Sequence, residues 1–104
     1  VTALPLNLSE SAFSHTVIDY ALRRHWRIHH SLPVQTGKGW RTPVQGHPGL
    51  PDLVLARDGV VVLAEIKTQH GRPSPDQRLW LAALGGVGRL WRPGNWAEIV
   101  EALR

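Results

Sequence analysis

Apolar residues along this chain recur at two different periods, and the places where the period changes predict the order of its elements. From Asn7 to His25, Phe13, Val17 and Ala21, with the offset pair Ile18 and Leu22, return every three or four positions, the spacing of a helix with one apolar face. Asn7 with Glu10 three residues later would make a capping box at its start, and Ser9 is a competing N-cap. Arg23, Arg24 and His25 load the last turn with positive charge, where the helix dipole favours it. Trp26 to His30 then alternates apolar with polar residues, a short strand pattern. Pro33 to Pro48, with Gly37, Gly39, Pro43 and Gly46 and few apolar residues, reads as a loop carrying Lys38, Trp40 and Arg41.

Leu50–Arg57 and Val60–Lys67 are the clearest strands. Asp58-Gly59 between them predicts a two-residue hairpin, because both central positions of a type I′ turn need positive φ. Ser74-Pro75-Asp76-Gln77 announces a helix, with Ser74 as cap, Pro75 at the first helical position and Gln77 closing a capping box. Trp80, Leu81 and Leu84 supply its apolar side until Gly85-Gly86. Val87–Arg92 predicts another strand, and Asn95 opens a last helix with Trp96, Ile99, Val100 and Leu103 facing inward. The order is helix, strand, loop, two strands in a hairpin, helix, strand, helix, which gives an α/β or α+β sandwich with a mixed sheet. A helical crossover should set the Val87 strand parallel to the Val60 strand.

Composition narrows this picture without changing it. With 104 residues, 42% hydrophobic and 19% charged, the chain suits one domain spanning residues 1–104. A domain of this size is helped by self-association, so a homodimer is expected. The absence of cysteine removes disulfides, thiolate catalysis and cysteine zinc sites together. Val1 to Leu8 shows no basic leader and no apolar run approaches a membrane span, so a soluble, cytoplasmic protein is expected. A formal charge of +4 and a pI near 10.7 are compatible with a polyanionic partner such as DNA.

The predicted hairpin carries the chemistry. Counting outward from the Asp58-Gly59 turn places Asp52 directly opposite Glu65, where paired Cβ atoms lie ~4.5–5.5 Å apart and like charges destabilise unless compensated. A bulge at Gly49-Leu50-Pro51 would alter that pairing. Mg²⁺ would supply the compensation, being a hard ion that takes carboxylate oxygens and keeps waters. Lys67, two residues beyond Glu65, shares its face. Two acids and one ammonium on one surface suit metal-dependent phosphodiester hydrolysis, with one ion or two. The competing reading is an ordinary surface ion cluster on a solvated strand.

The stretch Gly49-Leu50-Pro51-Asp52-Leu53-Val54-Leu55, followed by Glu65-Ile66-Lys67, resembles the PD-(D/E)XK nuclease signature. Gly71 to Gln77, Trp80, Gly88 and Trp91 to Trp96 narrow the resemblance to the virus-type replication-repair nuclease domain, covering roughly residues 10 to 104. The resemblance implies a restriction-endonuclease-like core of αβββαβ type. It implies a Mg²⁺-dependent endonuclease, with Mn²⁺ as substitute, acting on branched DNA such as a Holliday junction, as small phage or bacterial proteins and often as a symmetric dimer. Asp52, Glu65 and the main-chain carbonyl of Ile66 would hold the metal, and Lys67 would be the catalytic lysine. Glu10 matches an acid on the first helix that reaches the metal through water, and Gln77 a glutamine that supports the lysine or contacts phosphate. Either could equally be only a cap partner.

Lys38, Trp40, Arg41, His47, His70 and Arg72 are the nucleic-acid contacts this reading favours, with Arg89 and Arg92 as further phosphate contacts. Trp40 in the basic loop is the aromatic expected to be exposed, whereas Trp80 and Trp96 lie on apolar helical stripes and are expected in the core. The alternative function is a non-catalytic DNA-binding module that retains the nuclease fold, and a third is a purely structural protein.

Overall fold

The computed structural model of the chain describes residues 2–32, 34–41 and 44–104, with the side chains of Val34 and Arg41 outside that description. Val1, Pro33, Thr42 and Pro43, which belong to the stretches Val1 to Leu8 and Pro33 to Pro48, therefore lie outside it. The elements are α1 (Glu10–Arg23), β1 (Arg27–His30), β2 (Val34–Thr36), β3 (Gly39–Arg41), β4 (Leu53–Arg57), β5 (Val60–Ile66), α2 (Pro75–Leu84), β6 (Gly88–Trp91) and α3 (Trp96–Leu103). Short 3₁₀ turns at Gly85–Val87 and Pro93–Asn95 lead into β6 and α3.

Four strands form one mixed sheet in the order β1-β4-β5-β6. β1 and β4 are antiparallel, as are β4 and β5, while β6 runs parallel to β5 as the helical crossover requires. The turn between β4 and β5 has the expected conformation, with Asp58 at φ 52° and Gly59 at φ 80°. Its register runs from Arg57↔Val60 to Leu53↔Ala64, so the count that pairs Asp52 with Glu65 continues one step past the end of β4.

The register divides the sheet into two faces. Leu53 and Leu55 of β4 and Val62, Ala64 and Ile66 of β5 point toward Phe13, Val17 and Ala21 of α1 and Ile99 and Leu103 of α3, forming the core. Val54, Ala56, Val61 and Leu63 alternate to the opposite face. There α2 lies over β6, where a Cβ on Gly88 would sit 3.0 Å from the Cβ of Leu84. Helices thus flank both faces of a mixed sheet, an α/β sandwich. Among the described residues no helix is long and apolar enough to cross a membrane.

The strand expected from Leu50 opens only at Leu53, and both ends of α1 differ from the sequence reading. α1 is capped by Ser9, whose Oγ accepts from Ala12 N at 3.1 Å, so Asn7 is not the cap and the Asn7–Glu10 box does not form. At the other end the helix stops at Arg23, two residues early. His25 takes a left-handed φ of 68° while its N–H bonds Leu22 O and the Trp26 N–H bonds Ala21 O. This is a Schellman closure, made without glycine, and it pulls Trp26 into the core beside Ala21.

The stretch read as a loop holds a separate two-stranded hairpin, β2 with β3, around the turn at Gly37 and Lys38. Few apolar residues mark it, and among its described side chains none joins the core. Its local signals are the Thr36 hydroxyl, which donates to Gly39 O and accepts from Lys38 N, and the glycines of its turn.

Candidate active site

Asp52 stands immediately before β4 and Glu65 near the end of β5, on the face opposite the main core. Ser31 N–H donates to Asp52 O at 3.0 Å, prolonging the β1–β4 ladder and fixing the backbone there. The Asp52 carboxylate then reaches across to β5, where Oδ2 accepts from Ile66 N–H at 3.3 Å. In an antiparallel ladder the N–H and C=O of one residue point to the same neighbour, so the Ile66 carbonyl is directed toward the Asp52 edge.

Glu65 is the unusual group. Its side chain is 1% exposed, and Oε1 is buried without a hydrogen-bond partner. Oε2 lies 3.6 Å from Lys67 Nζ, itself largely covered. Burial chiefly, then the hydrogen bond and charge of Asp52, push the Glu65 carboxyl up to about 8, against the opposing pull of the Lys67 ammonium. A buried acid of this kind is held neutral unless positive charge arrives. Both acids supply hard oxygen donors and one oxygen has no other partner, so the donor set fits Mg²⁺ or Mn²⁺. Among the described residues no three His, Cys, Asp or Glu side chains converge on one point, so Glu10 does not join Asp52 and Glu65 in a direct three-carboxylate set.

Glu10 is the first residue of α1, exposed, and it shares the helical stripe of Ser14, Val17 and Ala21. The direction of α1 follows from Arg57, whose guanidinium donates to Arg24 O at 2.7 Å and so ties the helix C-terminus to the turn end of β4 and β5. The N-terminus with Glu10 therefore runs toward the end of the sheet where Asp52 and Glu65 stand.

The N-terminus of α2 reaches the same neighbourhood. Ser74 and Gln77 form the expected capping box, Ser74 N donating to Gln77 Oε1 at 2.8 Å and Gln77 N to Ser74 Oγ at 3.1 Å. Gly49, at φ 97°, lies so close that a Cβ there would meet the Asp76 main-chain carbon at 2.6 Å. Only glycine permits both that φ and that approach, and it seats α2 against the segment leading into Asp52. No bulge displaces the described ladder from Arg57 to Leu53.

The remaining sequence candidates divide by exposure. Lys38, Trp40, His47, His70 and Arg72 are exposed, Trp40 at 66%. Arg41 belongs to β3 by its backbone. Arg89 and Arg92 are engaged internally: Arg89 donates to Gly86 O and Gly88 O, and Arg92 donates to Gly71 O at 2.8 Å. The latter bond, with Gly94 N–H donating to Gln69 Oε1 at 2.8 Å, anchors the segment that follows Lys67. Trp26 and Trp91 are buried and unavailable for stacking on bases, and Trp96 packs against the core and edge-on to Tyr20 at 5.5 Å. Trp80, by contrast, lies outside the core, half-buried, because its side of α2 faces His47, whereas Leu81 and Leu84 cover Gly88 of β6.

Arg57 was not singled out from the sequence. Besides Arg24 O it donates to Leu103 O and, at 2.7 Å, to Arg104 O, and it lies 4.5 Å over the Trp26 ring. Trp26 Nε1–H also donates to Leu103 O at 2.8 Å. The only early signal was position: alternation along β4 puts Arg57 on the core side, where a charged residue needs partners. Comparison of the chain with protein-family models, curated proteins and solved structures returns no match.

Proposed function

We propose that this protein is a Mg²⁺-dependent endonuclease that hydrolyses DNA phosphodiester bonds, favours branched DNA such as four-way junctions, and is built on a restriction-endonuclease-like core. One observation carries the reading: a fully buried carboxylate, Glu65, keeps an oxygen without a partner while facing a second acid and a neighbouring ammonium. A purely structural site gains nothing from that arrangement, since an apolar residue would remove the desolvation cost.

Asp52, Glu65 and the Ile66 carbonyl would hold the ion. When bound, Mg²⁺ supplies a polarised phosphoryl oxygen and a water of lowered pKa. Lys67 donates hydrogen bonds to the attacking water or to the phosphate, where negative charge grows, and its partial burial strengthens that interaction. Gln77 has its Oε1 occupied by the cap, which leaves the amide N–H groups as donors toward phosphate. Glu10 acts through water at the end of α1. Lys38, Trp40, Arg41, His47, His70 and Arg72 would serve as contacts that position a duplex without reading its sequence. A symmetric homodimer would present two such centres to the two strands of a junction.

The test is cleavage of an end-labelled four-way junction with Mg²⁺, against duplex, flap and single-stranded controls. Wild type should cut, and Asp52→Asn and Lys67→Ala should keep the fold while losing about 10²-fold or more in rate. Undiminished cleavage in both variants would reject the assigned chemistry. Tight, salt-dependent binding without turnover in either Mg²⁺ or Mn²⁺ would assign the chain to non-catalytic DNA binding.

A further inference from the structure

α2 carries two apolar stripes. Leu81 and Leu84 turn inward over Gly88 of β6. Asp76, Leu79, Trp80 and Ala83, at positions i, i+3, i+4 and i+7, turn outward, and with His47 and Pro48 they line a hollow of about 330 Å³. Nothing in the β4–β5–β6 core explains the outward stripe: Leu79 is 69% exposed. Trp80 is nevertheless held, because its Nε1–H donates to His47 O at 3.2 Å and fixes the indole as one wall.

We infer that this hollow receives a single nucleobase of the DNA strand whose phosphate lies at Asp52, Glu65 and Lys67, an inference that rests on the nuclease reading. Four features favour a base over other occupants. The first is size, since the volume sits at the small end of ligand pockets. The second is chemistry: an indole held by a hydrogen bond, with Leu79 and Pro48, offers the apolar walls on which any base can stack. The third is charge. The Asp76 carboxylate on the rim repels phosphate, so the backbone stays outside, yet it accepts from the exocyclic amino group of adenine, cytosine or guanine. Thymine has no such group.

The fourth is distance. Gly49 touches the main chain of Asp76 and lies only three residues before Asp52, a reach of at most ~10 Å. A strand bound across the acids thus brings a base within about four nucleotides of the scissile bond to the hollow, taking ~3.4 Å of rise per nucleotide.

The experiment measures binding of short labelled single strands, without divalent ions, while one abasic site is moved along the strand. Wild type should lose about tenfold in affinity when the abasic site occupies one particular position, and at that position adenine, cytosine or guanine should bind more tightly than thymine. Two variants remove the effect by different routes: Trp80→Leu takes away the aromatic wall, and Ala83→Phe fills an exposed position of the hollow without deleting any contact. Both should bind every abasic strand alike, with unchanged circular dichroism. Affinity in wild type that is indifferent to abasic position, or equally position-dependent in the variants, overturns the inference. So does Trp80-dependent self-association that is competed away by no oligonucleotide, which would make the stripe a protein interface. Position-dependent binding in a protein that cleaves nothing would uphold the base site and refute the nuclease reading.

Discussion

Replacing Glu65 with glutamine tests the site before any substrate is added. The Glu65 carboxyl, pushed from 4.5 up to about 8, binds its proton more tightly in the native state than in the unfolded chain. Stability from this group is therefore fully present below pH 4.5 and is lost progressively as pH rises to about 8, above which it changes no further. At ~1.36 kcal/mol per pKa unit, the loss across that window is on the order of 3–5 kcal/mol. Glutamine keeps the shape, can donate from its amide to Asp52 and can accept from Lys67, but it has no charge to desolvate. In chelator, Glu65→Gln should match wild type at low pH and exceed it near pH 8 by on the order of 3 kcal/mol, roughly 10–20 °C in Tm for a domain of this size. Mg²⁺ should raise the wild-type Tm at pH 8 and not that of the variant, because the ion takes the proton's place and its binding releases that proton. Thermal unfolding followed by circular dichroism from pH 4 to pH 9, with and without Mg²⁺, decides the matter. Parallel stability profiles for the two proteins would refute the account of Glu65 as a carboxyl destabilised by burial.

Two other substitutions probe the frame. Arg57→Ala should cost about 2–4 kcal/mol in chemical denaturation, since its guanidinium serves the carbonyls at the ends of α1 and α3, and Arg57→Lys should recover only part of it; a loss under 0.5 kcal/mol would show those bonds to be replaceable by water. Gly49→Ala should destabilise by about 2–4 kcal/mol and lower Mg²⁺ affinity as well, because the new Cβ must push α2 off the Asp52 segment; unchanged metal titration in a destabilised protein would separate the seat of α2 from the site.

The sequence alone settled whatever depends on neighbours in the chain. Period, capping residues and turn chemistry are local, so the Ser74–Gln77 box, the Asp58-Gly59 turn and the hairpin register from Arg57↔Val60 to Leu53↔Ala64 were legible from the letters. At Asn7 and Ser9 two local signals competed and backbone geometry chose between them, whereas the left-handed turn at His25, which ends the helix at Arg23, carries no glycine to announce it. The hairpin of β2 and β3 escaped because strands of three residues each are too short to show an apolar period.

What only the tertiary structure decided is how deep each charge lies and which distant groups it meets. Alternation puts Arg57 on the core side but does not name its partners, and Arg92 looks like any surface cation, until α1, α3 and the segment at Gly71 bring carbonyls to them. Glu65 has a strand neighbour's spacing in the sequence, yet its burial, its unpartnered oxygen and its raised pKa arise from elements packed around it. Desolvation and Coulomb energies depend on distances through space, and those are established only when the chain has closed on itself.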